Sequence, residues 1–355
     1  MTMHKSRRSA IKMICGMILT LLPYQVFGAA ISREQDVLQK VTLNNRADLY
    51  IRDPFILSNP ATRTYYLYKS MSVKLKSGQS RGGVVVYVGR DLQTWEGPIP
   101  VFHFPDGFWA DRSVWAPEVH KYKGKYYLFV TFTSKDKLPT PEGRPQNVKR
   151  ATQILVADSA IGPFKPFANK PHTPEDWMSL DGTLWVEDSV SYMIFCHEWW
   201  QVIDGTMELV QLKSDLSDVI GKPRTLFKAT DAKWVKSLRD IGGKRHGYVT
   251  DGPFLYRTKS GRLLMIWSSF GRDKYTVGLA RSTTDKVAGP WKQIDKPLLA
   301  ANGGHGMIFR TFDGKLVMAI HQPNSGDIKA HLFELEDTGQ SLSVKGELPL
   351  LDREK

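Results

Sequence analysis

The stretch Ser179–Leu212, SLDGTLWVEDSVSYMIFCHEWWQVIDGTMELVQL, decides the fold. It opens with an acid before a glycine, Asp181-Gly182. It then predicts a short strand, a turn, and a strand over 191–196 that is rich in β-branched and aromatic residues. That strand runs into His197-Glu198-Trp199-Trp200, and a further strand follows over 207–212. Because burying an unpartnered carboxylate is strongly unfavourable, the acids here are either solvated turn residues or parts of a site.

The same layout recurs along the whole chain. A unit starts with an acid or its equivalent beside a strand, and a hairpin and further aromatic-rich strands follow. Five units of about four strands predict an all-β, single-domain, five-bladed β-propeller. The five starts, spaced by 54 to 70 residues, are Arg52-Asp53-Pro54, Trp115-Ala116-Pro117-Glu118, Leu180-Asp181-Gly182, Thr250-Asp251-Gly252-Pro253 and Gly304-His305-Gly306.

Propeller geometry brings these five starts together. The innermost strand of each blade points at the central channel, so an acid at the start of an inner strand faces the mouth of that channel. This convergence favours a shared site over the alternative of five ordinary turns capped by acidic side chains.

The composition and charge of the chain limit which classes of binding partner are expected. The 355 residues, 41% of them hydrophobic, are enough for a full core. The formal charge of +13 predicts attraction to polyanions. However, the lysines and arginines are scattered and accompany no nucleic-acid-binding motif. We therefore expect no nucleic-acid partner.

The N-terminus resembles a cleaved secretory signal. Basic residues precede the apolar run Met13–Leu22, which is too short to span a membrane, and small residues follow near Gly28. We expect cleavage after Gly28, a secreted or periplasmic protein, and no stable membrane insertion. The predicted organisation is a signal peptide over 1–28, a lead-in over 29–44, the propeller over 45–345 and a tail over 346–355.

Converging carboxylates suit glycoside hydrolysis. One ionised acid can activate water, one protonated acid can protonate the leaving group, and a third can shift the pKa of the second. An inverting glycosidase needs such a pair, about 6.5–9.5 Å apart so that water fits between. The 10 tryptophans and 13 tyrosines also suit sugar binding, because aromatic faces pack against sugar rings.

Taken in order, the five starts resemble the motifs of glycoside hydrolase family 43 over about residues 45–340. The resemblance implies a five-bladed propeller and an inverting, exo-acting enzyme. We expect removal of terminal α-L-arabinofuranosyl or β-D-galactofuranosyl residues from plant or microbial glycans. It further implies that Asp53 is the general base and that Asp181 tunes the pKa of the proton donor and orients it.

The general acid is less clearly marked. The family usually carries Glu-Gly-Pro in the fourth unit, where this chain has Asp251-Gly252-Pro253. Aspartate is one methylene shorter, so Glu198 is the preferred donor and Asp251 the alternative.

The remaining candidates come from the same resemblance. Trp115 is a candidate wall of the sugar pocket, with core packing as the alternative. Arg52, His197 and Trp199 are candidate substrate contacts. His305 resembles a histidine that faces a metal ion or ordered water on the axis. This allows a structural Ca²⁺ there, although we expect no cofactor to be required.

Three other functions remain open at this point. The first is a β-xylosidase of the same family. The second is a non-catalytic propeller that binds glycans, which would need no converging acids. The third is a retaining fructosidase-like hydrolase, but its Glu-Cys motif does not occur in this sequence.

Overall fold

The computed structural model describes residues 37–239, 246–272 and 274–350. These residues form five antiparallel blades and one two-stranded hairpin with very little helix, so the prediction of an all-β five-bladed propeller is confirmed. The helices are α1 (Trp199–Val202) and two 3-10 turns, Arg46–Asp48 and Ala229–Asp231.

Blade 1 has five strands and the other blades have four. In blade 1 the order across the sheet is β1-β5-β4-β3-β2, with bounds β1 (Thr42–Asn45), β2 (Phe55–Asn59), β3 (Thr64–Lys74), β4 (Ser80–Gly89) and β5 (Thr94–His103). Blade 2 comprises β6 (Ser113–Tyr122), β7 (Lys125–Lys137), β8 (Val148–Ala157) and β9 (Lys165–Pro166). Blade 3 comprises β10 (Ser179–Glu187), β11 (Val190–His197), β12 (Thr206–Leu212) and β13 (Val219–Lys228).

A small hairpin separates blades 3 and 4. It consists of β14 (Leu238–Arg239) and β15 (His246–Gly247). Blade 4 comprises β16 (Asp251–Arg257), β17 (Leu263–Phe270), β18 (Tyr275–Ser282) and β19 (Trp291–Gln293). Blade 5 comprises β20 (Gly304–Arg310), β21 (Leu316–Gln322), β22 (Lys329–Asp337) and β23 (Leu342–Glu347).

The first strand of blades 2 to 5, and β2 in blade 1, are the inner strands. They contact one another in a closed ring, in which β2 meets both β6 and β20. The second strands carry the core. In β17, for example, Leu263 to Ser269 are all buried, because each sheet is covered on both faces by its neighbours. Burying each large apolar side chain contributes roughly 1.5–3 kcal/mol, so the blade contacts dominate the stability.

The N-terminal strand closes the ring. Strand β1 pairs with β5, and Ile51 N–H donates to Ile328 O of blade 5 at 3.0 Å. The buried Arg46 guanidinium donates to Pro349 O at 2.8 Å. The end of the predicted lead-in therefore belongs to the first sheet. The predicted signal peptide lies outside the described residues.

Among the residues that the structure describes, no helix has both the length and the apolar character needed to cross a membrane.

Candidate active site

One backbone feature aims the five inner strands at the axis. At the start of each, one residue has a left-handed backbone: Asp53 (φ 49°), Ala116 (44°), Asp181 (59°), Gly252 (50°) and His305 (52°). In blades 2 to 5 this residue lies in a β-bulge that shifts the strand register. A bulge re-aims a side chain, and of the five residues with this backbone Asp53, Asp181 and His305 meet at the axis.

The position equivalent to Asp53 and Asp181 is occupied in blade 4 by Gly252, not by Asp251. A Cβ atom on Gly252 would lie 2.9 Å from the His305 ring, so the close approach of His305 requires glycine there. Asp251 therefore stands one residue before the bulge position, as Arg52 does in blade 1.

His305 lies between two of the predicted acids. Its Nδ1 is 3.5 Å from Asp53 Oδ1 and 3.6 Å from Asp181 Oδ2. The Gly252 N–H donates to Asp181 Oδ2 at 3.0 Å, which brings Asp251 beside Asp181. Blades 1, 3, 4 and 5 thus meet at one point on the axis.

Two residues that the sequence analysis missed, His321 and Tyr275, contact these acids. The fully buried His321 places its Nδ1 3.0 Å from Asp53 Oδ1, and its ring stacks on Tyr275. The Tyr275 hydroxyl donates to Asp251 Oδ2 at 2.8 Å. We call Asp53, Asp181, Asp251, His305 and His321 the axial cluster.

The charges in and around the axial cluster give its three carboxyl groups different pKa values. Burial raises the pKa of Asp53, but His305, His321 and Arg52 outweigh burial and hold its pKa well below the usual range. Burial and the neighbouring Asp53 charge raise the pKa of Asp181 well above its usual range. Burial and Asp181 raise the pKa of Asp251 to about 7, against the opposing effects of His305 and Tyr275. One carboxylate stays ionised while two tend to hold protons.

Glu198 belongs to a different group. Its carboxylate forms an ion pair with Arg150 of β8, and the Arg150 guanidinium lies 4.1 Å from the ring centroid of Trp115. Burial raises the pKa of Glu198, and Arg150 opposes that shift. Trp115 is 39% exposed, whereas the side chains of Arg150 and Glu198 are largely buried, so the tryptophan is the member of this group that reaches solvent. We call Trp115, Arg150 and Glu198 the rim cluster.

The predicted substrate contacts lie in different places. Arg52 is 3.8 Å from Asp53 Oδ2 and also donates to Asn324. His197 stacks on Trp177 at 4.0 Å, and its Nε2 lies 2.7 Å from Gln201 Oε1, on the side of β11 away from Glu198. Trp199 begins α1 and packs against Trp200.

The loop over 138–147, which follows β7, reaches this helix. Arg144 on the loop donates to the Trp200 carbonyl at 3.0 Å, and more weakly to the Trp199 carbonyl. Blade 2 is thereby tied to blade 3 at the edge of the site.

The axis offers few metal ligands. The part of the chain that the structure describes contains no group of three or more His, Cys, Asp or Glu side chains placed to hold a metal ion. The Nδ1 atom of His305 faces Asp53 and Asp181. Calcium prefers six to eight oxygen ligands, so an ion here would take most of them from water.

The comparisons with known proteins agree with the propeller fold. The model of glycosyl hydrolases family 43 matches residues 47–342. An endo-arabinase from Bacteroides thetaiotaomicron VPI-5482 shares 37% identity over 84% of this chain and 98% of its own, with a TM-score of 0.73. An α-L-arabinofuranosidase from Lactobacillus brevis shares only 17% identity over 85% of this chain and 96% of its own, with a TM-score of 0.62, and so shows the fold alone. None of the curated proteins compared with the chain matches it.

Proposed function

The chain belongs to glycosyl hydrolases family 43, and from this premise we propose that it is an inverting hydrolase that removes terminal α-L-arabinofuranosyl residues from glycans. β-D-Galactofuranosyl residues are the second choice of sugar. The similarity to the endo-arabinase from Bacteroides thetaiotaomicron supports the arabinose assignment.

One observation carries the proposal: an acid held ionised shares the axial cluster with an acid whose pKa is about 7. An inverting mechanism needs one ionised carboxylate as base and one protonated carboxyl group as acid. Asp53 takes a proton from water as the water oxygen attacks the anomeric carbon. The glycosidic C–O bond breaks, and its oxygen receives the proton of the donor. Asp181 keeps the pKa of that donor high.

The electrostatics favour Asp251 as the donor over Glu198, reversing the order expected from the sequence. A donor must carry a proton, and its pKa is best placed near the working pH. Asp251 meets this condition because Asp181 opposes its ionisation. Burial also raises the pKa of Glu198, but the Arg150 guanidinium at ion-pair distance opposes that rise and holds the carboxyl in a fixed pair. We assign Glu198, Arg150 and Trp115 to holding the sugar at the rim.

The rim also bears on the mode of attack. A cleft open at both ends suits cleavage within a polysaccharide, whereas a closed end suits removal of terminal residues. The 138–147 loop, tied to α1 by Arg144, stands beside the rim cluster and supports the exo mode. On linear arabinan, an exo enzyme should release arabinose from the first minutes, whereas an endo enzyme should release oligosaccharides.

The direct test is a substrate panel. Hydrolysis of three substrates is measured for the wild type and for Asp53→Asn. The substrates are nitrophenyl α-L-arabinofuranoside, β-D-galactofuranoside and β-D-xylopyranoside. Proton NMR of the first-formed sugar reports its anomeric configuration. We expect arabinofuranoside cleavage with inversion, and its loss in Asp53→Asn. Retention would overturn the mechanism, and preference for xyloside would overturn the choice of sugar. Unchanged hydrolysis in Asp53→Asn would remove Asp53 from the mechanism, and no hydrolysis of any substrate by the wild type would favour a glycan-binding role.

We also propose that the protein is secreted or periplasmic, on the grounds of the N-terminal sequence alone. N-terminal sequencing of the exported protein tests this. A mature chain starting at Ala29 is expected, and a chain that keeps Met13–Leu22 would contradict it.

A further inference from the structure

A second pocket lies at the opposite end of the propeller from the acids. From Asp53, β2 runs to Asn59, and the following turn carries Arg63. From His305, β20 runs to Arg310, and the following turn carries Thr311 to Lys315. Six residues at about 3.3 Å each place these turns roughly 20 Å from the axial cluster. Between the two turns lies a cavity of about 310 Å³ at the seam where blades 5 and 1 close.

We call this cavity the closure pocket. Cations outnumber carboxylates along its wall: its charged lining residues are Arg46, Arg63, Arg90, Lys315, Asp91 and Asp313.

Both carboxylates are already engaged within the protein. Asp91 accepts hydrogen bonds from Gln93 N–H at 2.9 Å and from the Thr94 N–H and hydroxyl at 2.8 Å each. Asp313 accepts from the Thr311 hydroxyl at 2.5 Å and pairs with Lys315 at 3.4 Å. In the part of the chain that the structure describes, no carboxylate forms an ion pair with Arg46, Arg63 or Arg90.

Arg46 is the strongest sign of a ligand. Its side chain is only 1% exposed, and one of its nitrogens, Nη2, donates to the carbonyls of Leu348 and Pro349. Its Nε and Nη1 are buried and have no hydrogen-bond partner. Burial lowers the pKa of Arg46 to about 10, so the guanidinium is still charged at neutral pH; Glu347 acts on it only at longer range. Buried charges in proteins are normally paired.

The other two guanidinium groups are available at the surface. Arg63 and Arg90 are exposed, and Arg63 lies over the Phe312 ring, 5.3 Å from its centroid. The Tyr65 ring stacks on Phe312 at 4.0 Å, so Phe312 is held in place beside Arg63. Planar guanidinium donors match the geometry of carboxylate, phosphate and sulfate oxygens.

We propose that the closure pocket binds a small oxyanion through the guanidinium groups of Arg46, Arg63 and Arg90. The oxyanion is either the carboxylate of an acidic sugar or a free inorganic phosphate or sulfate ion. Since Arg46 also joins the N-terminal segment to Leu348 and Pro349, the bound anion stabilises the closed ring.

Calorimetric titration at constant ionic strength tests the site. The probes are sodium glucuronate, sodium phosphate and sodium sulfate, with glucose as the neutral control. We expect saturable binding with one site per chain and no binding of glucose. Tightest binding of glucuronate identifies an acidic sugar as the ligand, and tighter binding of phosphate or sulfate identifies a free ion. No saturable binding of any of the three anions overturns the proposal.

Variants locate the binding. Arg63→Gln and Arg90→Gln change exposed residues and should each raise the Kd about tenfold, the size expected for one hydrogen bond to a charged group. Lys222→Gln removes the same charge from the exposed outer strand of blade 3 and should leave the Kd unchanged. Equal weakening in all three variants would show a general charge effect and overturn the site.

Stability gives a second readout for Arg46. The anion should raise the melting temperature of the wild type, because it binds the folded state, and should fail to do so in Arg46→Gln. An equal rise in Arg46→Gln would overturn the role of Arg46. Hydrolysis should be unchanged in Arg63→Gln and Arg90→Gln, so failure here is distinguishable from failure of the proposed catalysis.

Discussion

The axial and rim clusters both bury carboxylates, but they handle charge in opposite ways. In the axial cluster His305, His321 and Arg52 favour ionisation of Asp53. Burial and the charge of a neighbouring carboxylate drive Asp181 and Asp251 toward their protonated forms. In the rim cluster Glu198 stands against Arg150, which stabilises its charge. Cationic neighbours around one acid and carboxylate neighbours around the others create a base and an acid at one pH, whereas a single opposite charge beside Glu198 creates a fixed ion pair. The axial cluster is therefore suited to proton transfer and the rim cluster to binding.

The largest effect should come from the ionised acid of the axial cluster. Asp53→Asn removes the group that accepts the proton of water while keeping the size of the side chain. General base catalysis contributes about 10²–10⁴-fold, and we expect the loss in kcat to fall at the upper end. The measurement is kcat on nitrophenyl α-L-arabinofuranoside.

Asp188→Asn is the matched control for Asp53→Asn. Asp188 also has a left-handed backbone (φ 51°), but it lies in the turn between β10 and β11 and pairs with Lys286. Its variant should keep wild-type kcat. A wild-type kcat in Asp53→Asn would remove the axial cluster from catalysis altogether.

The second prediction compares the kinetic effects of replacing Asp251 and of replacing Glu198. Asp251→Asn should lower kcat by roughly 10²-fold or more on arabinan oligosaccharides, and by much less on nitrophenyl glycosides, whose leaving groups need little protonation. Glu198→Gln should raise KM and show no such dependence on the leaving group, because it weakens binding. Parallel assays on the two substrate classes measure both effects.

Glu208→Gln serves as the control for both donor candidates. Glu208 is also a buried acid whose pKa burial raises, but its partners are Thr206 and Thr225 within blade 3. A leaving-group effect in Glu198→Gln and none in Asp251→Asn would make Glu198 the donor. Proton donation would then belong to the rim cluster and not to the axial cluster.

The sequence predicted the blades well because their signals are local. Strand alternation, turn motifs and the five repeated starts each depend on a few neighbouring residues, and together they predicted that Asp53 and Asp181 would converge. The offset of one residue in blade 4 could not be predicted. A bulge decides whether Asp251 or Gly252 points at the axis, and the contact of Gly252 with His305 sets that register.

His321, Tyr275 and Arg150 were missed for a related reason. They lie within or at the start of second and third strands, where apolar neighbours predict core packing. His321 and Tyr275 are indeed buried. Their partners Asp53, Asp251 and Glu198 belong to other blades or other strands, so only the closed ring reveals those contacts.

The third prediction concerns the pH profile. A donor with a pKa of about 7 makes kcat/KM fall as the pH rises above 7, because the protonated form is lost. The Tyr275 hydroxyl favours ionised Asp251, so Tyr275→Phe should move this alkaline limb upward by about one pH unit. The profile is measured on an arabinan oligosaccharide between pH 5 and 9.

Tyr256→Phe is the matched control for that shift. Its hydroxyl donates to Asp337 at 2.9 Å, the same kind of contact in a place far from the axis. The limb should not move in this variant. A limb that stays in place in Tyr275→Phe but disappears in Glu198→Gln would assign the titration to the rim cluster.

The smallest effect should come from chelation. In the axial cluster the Nδ1 atoms of His305 and His321 face carboxylates, and most ligands of a calcium ion on the axis would be water. We propose that any such ion is structural, so EDTA should change kcat by less than about twofold while lowering the melting temperature if Ca²⁺ is bound. Kinetics and thermal melting of the chelated protein, with and without added Ca²⁺, separate these effects. A large loss of kcat that Ca²⁺ restores would mean that the charge balance at Asp53 depends on the ion. The contrast between the two clusters would then rest on the metal as well as on the carboxylates.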